Sequence, residues 1–196
     1  APVAHTGLGE LAGRHRRGVQ LFGGIPYAAA PVGDRRFAPP APPEPWEGVR
    51  DARRFSPAAP QLPGEGMTDR LPVRWDEDCL YLNVVTPACD NARRPVYLWI
   101  HGGAYQHGQG ALPWYDGTSF ATRGDIVVVT INYRLGALGF CDLGSHLGDG
   151  FSSSGVSGTL DQVAALRWVR DHIAEFGGDP DRVTIGGESA GAFSVS

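Results

Sequence analysis

Apolar residues in this chain fall into short, nearly unbroken runs divided by glycine, proline and charged residues. That is the spacing of strands and turns. Residues 18–27, Gly-Val-Gln-Leu-Phe-Gly-Gly-Ile-Pro-Tyr, read as a strand closed by turn residues. Four further runs, at residues 80–85, 96–100, 126–132 and 183–185, recur at α/β spacing. Runs this continuous predict strands covered on both faces, as in a mostly parallel sheet. Between the last two lies the clearest helix. Val163, Leu166, Val169, Ile173 and Phe176 recur at helical intervals, and Thr159 and Gln162 have capping-box spacing. Gly177-Gly178 ends the pattern, with Pro180 just beyond. Strand, helix, strand and a glycine-rich turn into another helix make a βαβ unit. Residues 28–72, rich in proline and glycine, predict an irregular, packed surface segment. Pro39, Pro40, Pro42, Pro43 and Pro45 are expected to stiffen extended chain there.

Composition narrows the function. With 196 residues, 42% hydrophobic and 19% charged, the chain can bury one sizeable core. Its apolar runs fall far short of the ~20 residues that cross a bilayer as a helix, so no membrane partner is expected. A net charge of −4 argues against nucleic acid, which requires a clustered positive field. All 17 basic residues are arginine. Without lysine there is no P-loop, no Schiff-base amine and no Ser-Lys dyad. Three cysteines, Cys79, Cys89 and Cys141, give neither a paired framework nor a CxxC zinc spacing, so no metal and no cofactor are expected. No charged-then-apolar leader follows Ala1, although a trimmed one would leave no trace. The arginine-, alanine-, glycine- and proline-heavy composition points to a GC-rich, bacterial source. A cytoplasmic setting is the expectation for such a source, with secretion after signal removal as the alternative.

Two segments carry the chemistry. Gly187-Glu188-Ser189-Ala190-Gly191 matches G-x-S-x-G directly after the run at 183–185 and ahead of a candidate helix. That is the setting of a nucleophile elbow: the serine is strained, and the residues two positions away must be glycine to avoid clashing. Outside that setting the same five residues would be only a Gly/Ser-rich turn. His101-Gly102-Gly103-Ala104 follows the run at 96–100. Glycine there lets the backbone turn so that peptide N–H groups, with that of Ala190, hold a tetrahedral oxyanion. His101 itself reads as a structural hydrogen-bonding group, not the catalytic base. Tyr105, Trp114 and Tyr115 near this loop either line an apolar site or pack.

Together these segments resemble the type-B carboxylesterase family, most nearly bacterial para-nitrobenzyl esterases. Further matching stretches are Phe22-Gly-Gly-Ile-Pro-Tyr27, Glu77-Asp-Cys-Leu-Tyr-Leu-Asn83, Asn132-Tyr-Arg-Leu-Gly136, Leu160-Asp-Gln162 and Phe176-Gly-Gly-Asp-Pro180. The resemblance implies an α/β-hydrolase fold, with residues 1–196 as the N-terminal segment of a single catalytic domain. It implies a small-molecule ester substrate hydrolysed through an acyl-enzyme on Ser189. Gly103, Ala104 and Ala190 would supply the oxyanion-hole amides, with Gly102 permitting the turn. Arg36 with Glu77, and Arg134 with Asp161, match structural salt bridges of the family and are expected to be scaffold.

The sequence departs from that pattern in three places. Ala59 stands where relatives often have a cysteine that bridges to Cys79, and Ser157-Gly158-Thr159 stands where they often have an asparagine. An unpaired Cys79 fits a reducing compartment or a lost bridge. Finally, the sequence stops seven residues after Ser189. The family's acid and histidine follow the serine in the order of α/β-hydrolases. Both are therefore expected on a complementary C-terminal polypeptide, without which this chain should be inactive. A thioesterase or lactonase would use the same site. A non-catalytic cholinesterase-like binding protein, or an interaction module that folds only with a partner, would leave the chemistry unused.

Overall fold

A computed structural model describes residues 1–62 and 73–196. The last part of the irregular segment expected at residues 28–72 therefore lies outside the described residues. The strands are β1 (Val3–Thr6), β2 (Gly9–Ala12), β3 (Arg14–Arg16), β4 (Val19–Pro26), β5 (Val49–Asp51), β6 (Tyr81–Thr86), β7 (Arg94–Ile100), β8 (Val127–Ile131) and β9 (Gly178–Gly187). The helices are α1 (Thr118–Gly124), α2 (Gly136–Phe140), α3 (Gly144–Leu147), α4 (Ser157–His172) and α5 (Ala190–Val195). A small sheet, β1-β2-β5, sits beside a six-stranded one of order β3-β4-β6-β8-β7-β9.

The large sheet is mixed. The β3–β4, β4–β6 and β6–β8 ladders are antiparallel, and parallel pairing is confined to β8–β7–β9. The reason lies in the connections: parallel neighbours need a crossover, and only the segments holding α1 and α4 supply one here. Strand alternation splits the core in two. Val127, Val129 and Ile131 of β8, with Val96, Leu98 and Ile100 of β7, join Ala165, Trp168 and Val169 of α4 in the main cluster. Val128 faces the other way, into a smaller cluster with Val19, Leu21, Val85 and Ala121 of α1. One face of the parallel strands is thus covered by α4, and the opposite face only in part by α1.

Two sequence expectations need correction. Helix α4 starts at Ser157, two residues before Thr159, and Val156 at its N-cap makes no side-chain cap. Gln162 instead donates to Ser194 Oγ at 3.1 Å. Its buried stripe is Asp161, Gln162, Ala165, Trp168 and Val169, and Val163 lies outside it. A buried ion pair at Asp161 turns the helix away from its purely apolar face. The helix then tightens into a 3-10 turn, Ile173–Phe176, and stops at Gly177, whose φ of 78° suits a residue without Cβ. The second correction concerns strand coverage. β8 is buried along its whole length, but β9 exposes Thr184 and Ile185. It pairs only with β7 among the described residues, leaving its outer edge open.

Candidate active site

Only Glu188 and Ser189 separate β9 from α5. Ser189 absorbs the reversal with φ 51° and ψ −120°, a conformation costing about 1–3 kcal/mol for a residue with a side chain. Neighbouring contacts hold it there. Gly191 N–H donates to the Glu188 carbonyl at 2.9 Å and Phe193 N–H to the Ser189 carbonyl at 3.0 Å. A Cβ at Gly187 would stand 2.5 Å from the Gly191 carbonyl carbon, and one at Gly191 would run into the Ile100 carbonyl. The two glycines therefore let the start of α5 close onto the end of β7. Ser189 is exposed at the bend, while Ala190 and Gly191 behind it are buried.

Facing this bend is the segment that leaves β7. A Cβ at Gly102 would stand 3.0 Å from Ser189 Cβ and 2.6 Å from the Glu188 carbonyl oxygen, so backbone lies directly against the elbow. Gly103, Ala104 and Tyr105 follow with φ of 112°, 54° and 60°. Two peptide planes here are fixed through their carbonyls. His101 Nδ1 bonds the Gly102 oxygen at 2.7 Å, and the Gly103 oxygen accepts from Gln106 N–H at 2.9 Å and His107 N–H at 3.1 Å. A peptide is planar and trans, so its N–H points opposite to its C=O. Anchoring the carbonyls of Gly102 and Gly103 thereby sets the directions of the Gly103 and Ala104 N–H groups. Neither N–H has an acceptor among the described residues. Ala190 opens α5, where amides have no intrahelical acceptor.

His101 is buried and stacks on Tyr133 with ring centroids 4.5 Å apart. Burial pushes its pKa down to about 4, against a smaller opposing effect of the Gly102 carbonyl. The neutral ring must carry its proton on Nδ1 to bond that carbonyl. It is a strut for the loop, unable to serve Ser189 as a base.

The scaffold pairs are both formed. Arg36 meets Glu77 through two bonds of 2.7 and 2.9 Å at the surface. Arg134 meets Asp161 through bonds of 2.8 and 2.7 Å in the interior and reaches the Ala38 carbonyl as well. Burial works against the Arg134 charge, but the bonds and negative charge of Asp161 outweigh it and raise the guanidinium pKa. Asp161 also accepts from Arg134 N–H at 3.0 Å, tying the end of β8 to α4.

Several neighbours of the elbow were not singled out by sequence. The Glu188 carboxylate lies against Gly102, and its charge, after burial, raises the Tyr115 pKa. Ser194 of α5 bonds Gln162 and sits 3.3 Å from the Tyr105 hydroxyl, linking helix, loop and α4. Tyr105 thus packs on Phe140 rather than joining Trp114 and Tyr115. Those two border a cleft of about 190 Å³ with Tyr97, Trp99 and Phe120. None of these contacts leaves a local motif; each joins residues far apart in the chain.

Among the described residues no three His, Cys, Asp or Glu side chains are placed to hold a metal ion. No described helix is long and apolar enough to cross a membrane. The free thiol of Cys79 is fully buried, and burial raises its pKa.

Comparison with known proteins bears on this arrangement. The family model described as "Carboxylesterase family" matches residues 1–196. The para-nitrobenzyl esterase of Bacillus subtilis (strain 168) is 47% identical over 196 residues, covering 99% of this chain and 39% of that protein. The phenmedipham hydrolase of Pseudarthrobacter oxydans is 46% identical over 199 residues, with 100% and 39% covered. A crystal structure of a Geobacillus stearothermophilus carboxylesterase at pH 6.8 superimposes with a TM-score of 0.93 at 53% identity, over 100% of this chain and 40% of that one. The chain thus spans about 40% of the length of the relatives it matches. Its fold is the N-terminal portion of the α/β-hydrolase fold seen in carboxylesterase structures, and the chain belongs to the carboxylesterase family.

Proposed function

We propose that this chain supplies the nucleophile and the oxyanion hole of a serine carboxylesterase, as the N-terminal segment of one catalytic domain. The carrying observation is Ser189, strained and exposed, with the Gly102 backbone against it. Ser189 Oγ attacks the ester carbonyl carbon as its proton passes to a base. The carbonyl oxygen becomes an oxyanion held by the N–H groups of Gly103, Ala104 and Ala190. Losing one such donor typically costs about 10²–10³ in rate. Collapse expels the alcohol, which takes up the proton, and leaves the acyl group on Ser189. Water then repeats the sequence and releases the acid.

A serine hydroxyl is a poor nucleophile without a base. His101, neutral and buried, is committed to Gly102. The acid and histidine are therefore assigned to a further polypeptide segment, whether continuous with this chain or separate, that pairs along the open edge of β9. Two observations support this: β9 has a single neighbour among the described residues, and the chain covers about 40% of its relatives. The partly exposed Tyr97–Trp99 face, unlike the face under α4, has room for a covering element.

A fluorophosphonate probe tests the assignment. In the active preparation it should label the peptide carrying Ser189, and Ser189→Ala should abolish the label and lower turnover about 10⁴–10⁶-fold. This chain alone should hydrolyse p-nitrophenyl acetate no faster than its Ser189→Ala variant. Serine-dependent turnover by the pure chain would refute the need for a second segment. Labelling elsewhere would refute the nucleophile. The intact elbow and anchored amides favour catalysis over a purely binding role.

A further inference from the structure

Gln61, from the irregular segment that precedes the undescribed residues, lies 47 positions from the loop it touches. Its side-chain amide clamps one residue from both sides: Gly108 N–H donates to Gln61 Oε1 at 2.8 Å, and Gln61 Nε2 donates to the Gly108 carbonyl at 2.9 Å. The same Nε2 donates to the Ala59 carbonyl at 3.0 Å, fixing the amide's orientation within its own segment. Both donors and one acceptor of the side chain are thereby assigned, as a side-chain imitation of a strand ladder.

The clamped residue is the one wedged under the oxyanion loop. Gly108 has φ 114°, and a Cβ there would run into His101 Nδ1 and stand 2.6 Å from the Gly102 oxygen. Gly108 also directly follows the turn in which Gln106 and His107 hold the Gly103 carbonyl. The contacts that set the Gly103 and Ala104 N–H directions are therefore closed from below by Gly108, and Gly108 is held by Gln61. We infer that Gln61 is a positioning residue for the oxyanion hole, acting through Gly108 on the His101–Gly102 bond and the 103–107 turn.

The inference rests on the esterase reading for its catalytic consequence, but the clamp itself does not. In the active enzyme, Gln61→Ala should lower kcat on p-nitrophenyl acetate about 10–100-fold, less than the loss of a donor outright. KM should stay within about threefold, since ground-state binding scarcely uses the amides. A trifluoromethyl ketone, which forms a tetrahedral oxyanion on the serine, should weaken by the same factor as kcat. Gln61→Glu presents two acceptors to Gly108 and repels its carbonyl. Protonation restores one donor, so the ratio of its kcat to wild type should climb as pH falls from 8 to 5. A purely structural loss would also be relieved by that protonation, but it would lower kcat only by the unfolded fraction and leave the ketone affinity of the folded enzyme unchanged. In parallel, amide hydrogen exchange over residues 101–108 should quicken in Gln61→Ala, whatever the activity.

Kcat within twofold of wild type, or a kcat loss not matched by the ketone, would overturn the positioning role. Unchanged exchange over 101–108 would overturn the clamp. If wild type takes no fluorophosphonate label at Ser189, the esterase reading fails instead, and the exchange measurement still decides the clamp.

Discussion

β8 and β9 both pair in parallel with β7, yet they live in different surroundings. Every residue of β8 is buried, between β6 and β7 in the sheet and between the two apolar clusters across it. Among the described residues β9 has one neighbour, and the helix after it exposes Phe193 and Val195. The strained serine belongs to the open strand, and the rigid elements that position it belong to the closed one and its neighbour β7. A reactive group placed at such a boundary gains fixed backbone on one side and access for another segment on the other. The division predicts that damage on the β8 side is felt as stability and damage on the β9 side as assembly and turnover.

The largest stability effect should come from the Arg134–Asp161 pair at the end of β8. Arg134→Ala leaves a buried carboxylate with no counter-charge and should cost about 3–5 kcal/mol in urea denaturation. Arg134→Met with Asp161→Leu should recover much of it, because the desolvation cost of both charges disappears as well. Arg134→Ala at under 1 kcal/mol would mean that the closed side is less rigid than its burial implies.

His101 stands where the two sides meet, and its titration gives the next effect. Its pKa is about 4 in the fold against 6.5 for an ordinary histidine, so the unfolded chain binds the proton more readily. The stabilisation is then complete above pH 6.5, falls as pH drops through the interval, and levels off below about 4. The total is about 3 kcal/mol, at 1.36 kcal/mol per unit. The lowered His172 pulls the same way, whereas Asp51, lowered to about 2, loses its contribution only below the ordinary carboxylate range. Denaturation curves at pH 7, 5.5 and 4 on His172→Gln remove that ring's part and read the His101 loss against the Asp161 carboxyl, whose pKa burial raises and which works in the opposite sense. A flat profile in that variant would place the His101 ring in water.

The same boundary explains what the sequence could and could not disclose. β4, β6, β7, β8 and α4 are each long enough to show a period, and the elbow is a five-residue pattern in a required setting. β1, β2, β3 and β5 have three or four residues, and α1, α2 and α3 have four to seven, too few for periodicity to mark. Val163 fitted the apolar spacing of α4 but lies outside its buried stripe, because the stripe is turned to bury Asp161. Ile185 looks as apolar as Val129, and nothing local says that one strand has two neighbours and the other has one. Gln61 carries no pattern at all: its partner is chosen by the fold.

The smallest change in this chain's own stability should come from Phe193, 77% exposed on α5. Phe193→Ser removes little buried surface and should alter denaturation by under about 0.5 kcal/mol, against about 2–5 kcal/mol for Leu98→Ala in the closed core. Its effect should surface elsewhere. An aromatic ring on a helix of six residues, one turn past Ser189, stays in water only while nothing covers it. If a further segment packs against β9 and α5, Phe193→Ser weakens that contact, and fluorophosphonate labelling should need more of the complementary segment to saturate. Labelling that saturates at the same concentration in both proteins would remove Phe193 from the interface and move the covering element toward the Tyr97–Trp99 face. A stability loss near that of Leu98→Ala would instead mean that the ring is already buried, and the contrast between the two strands would fail.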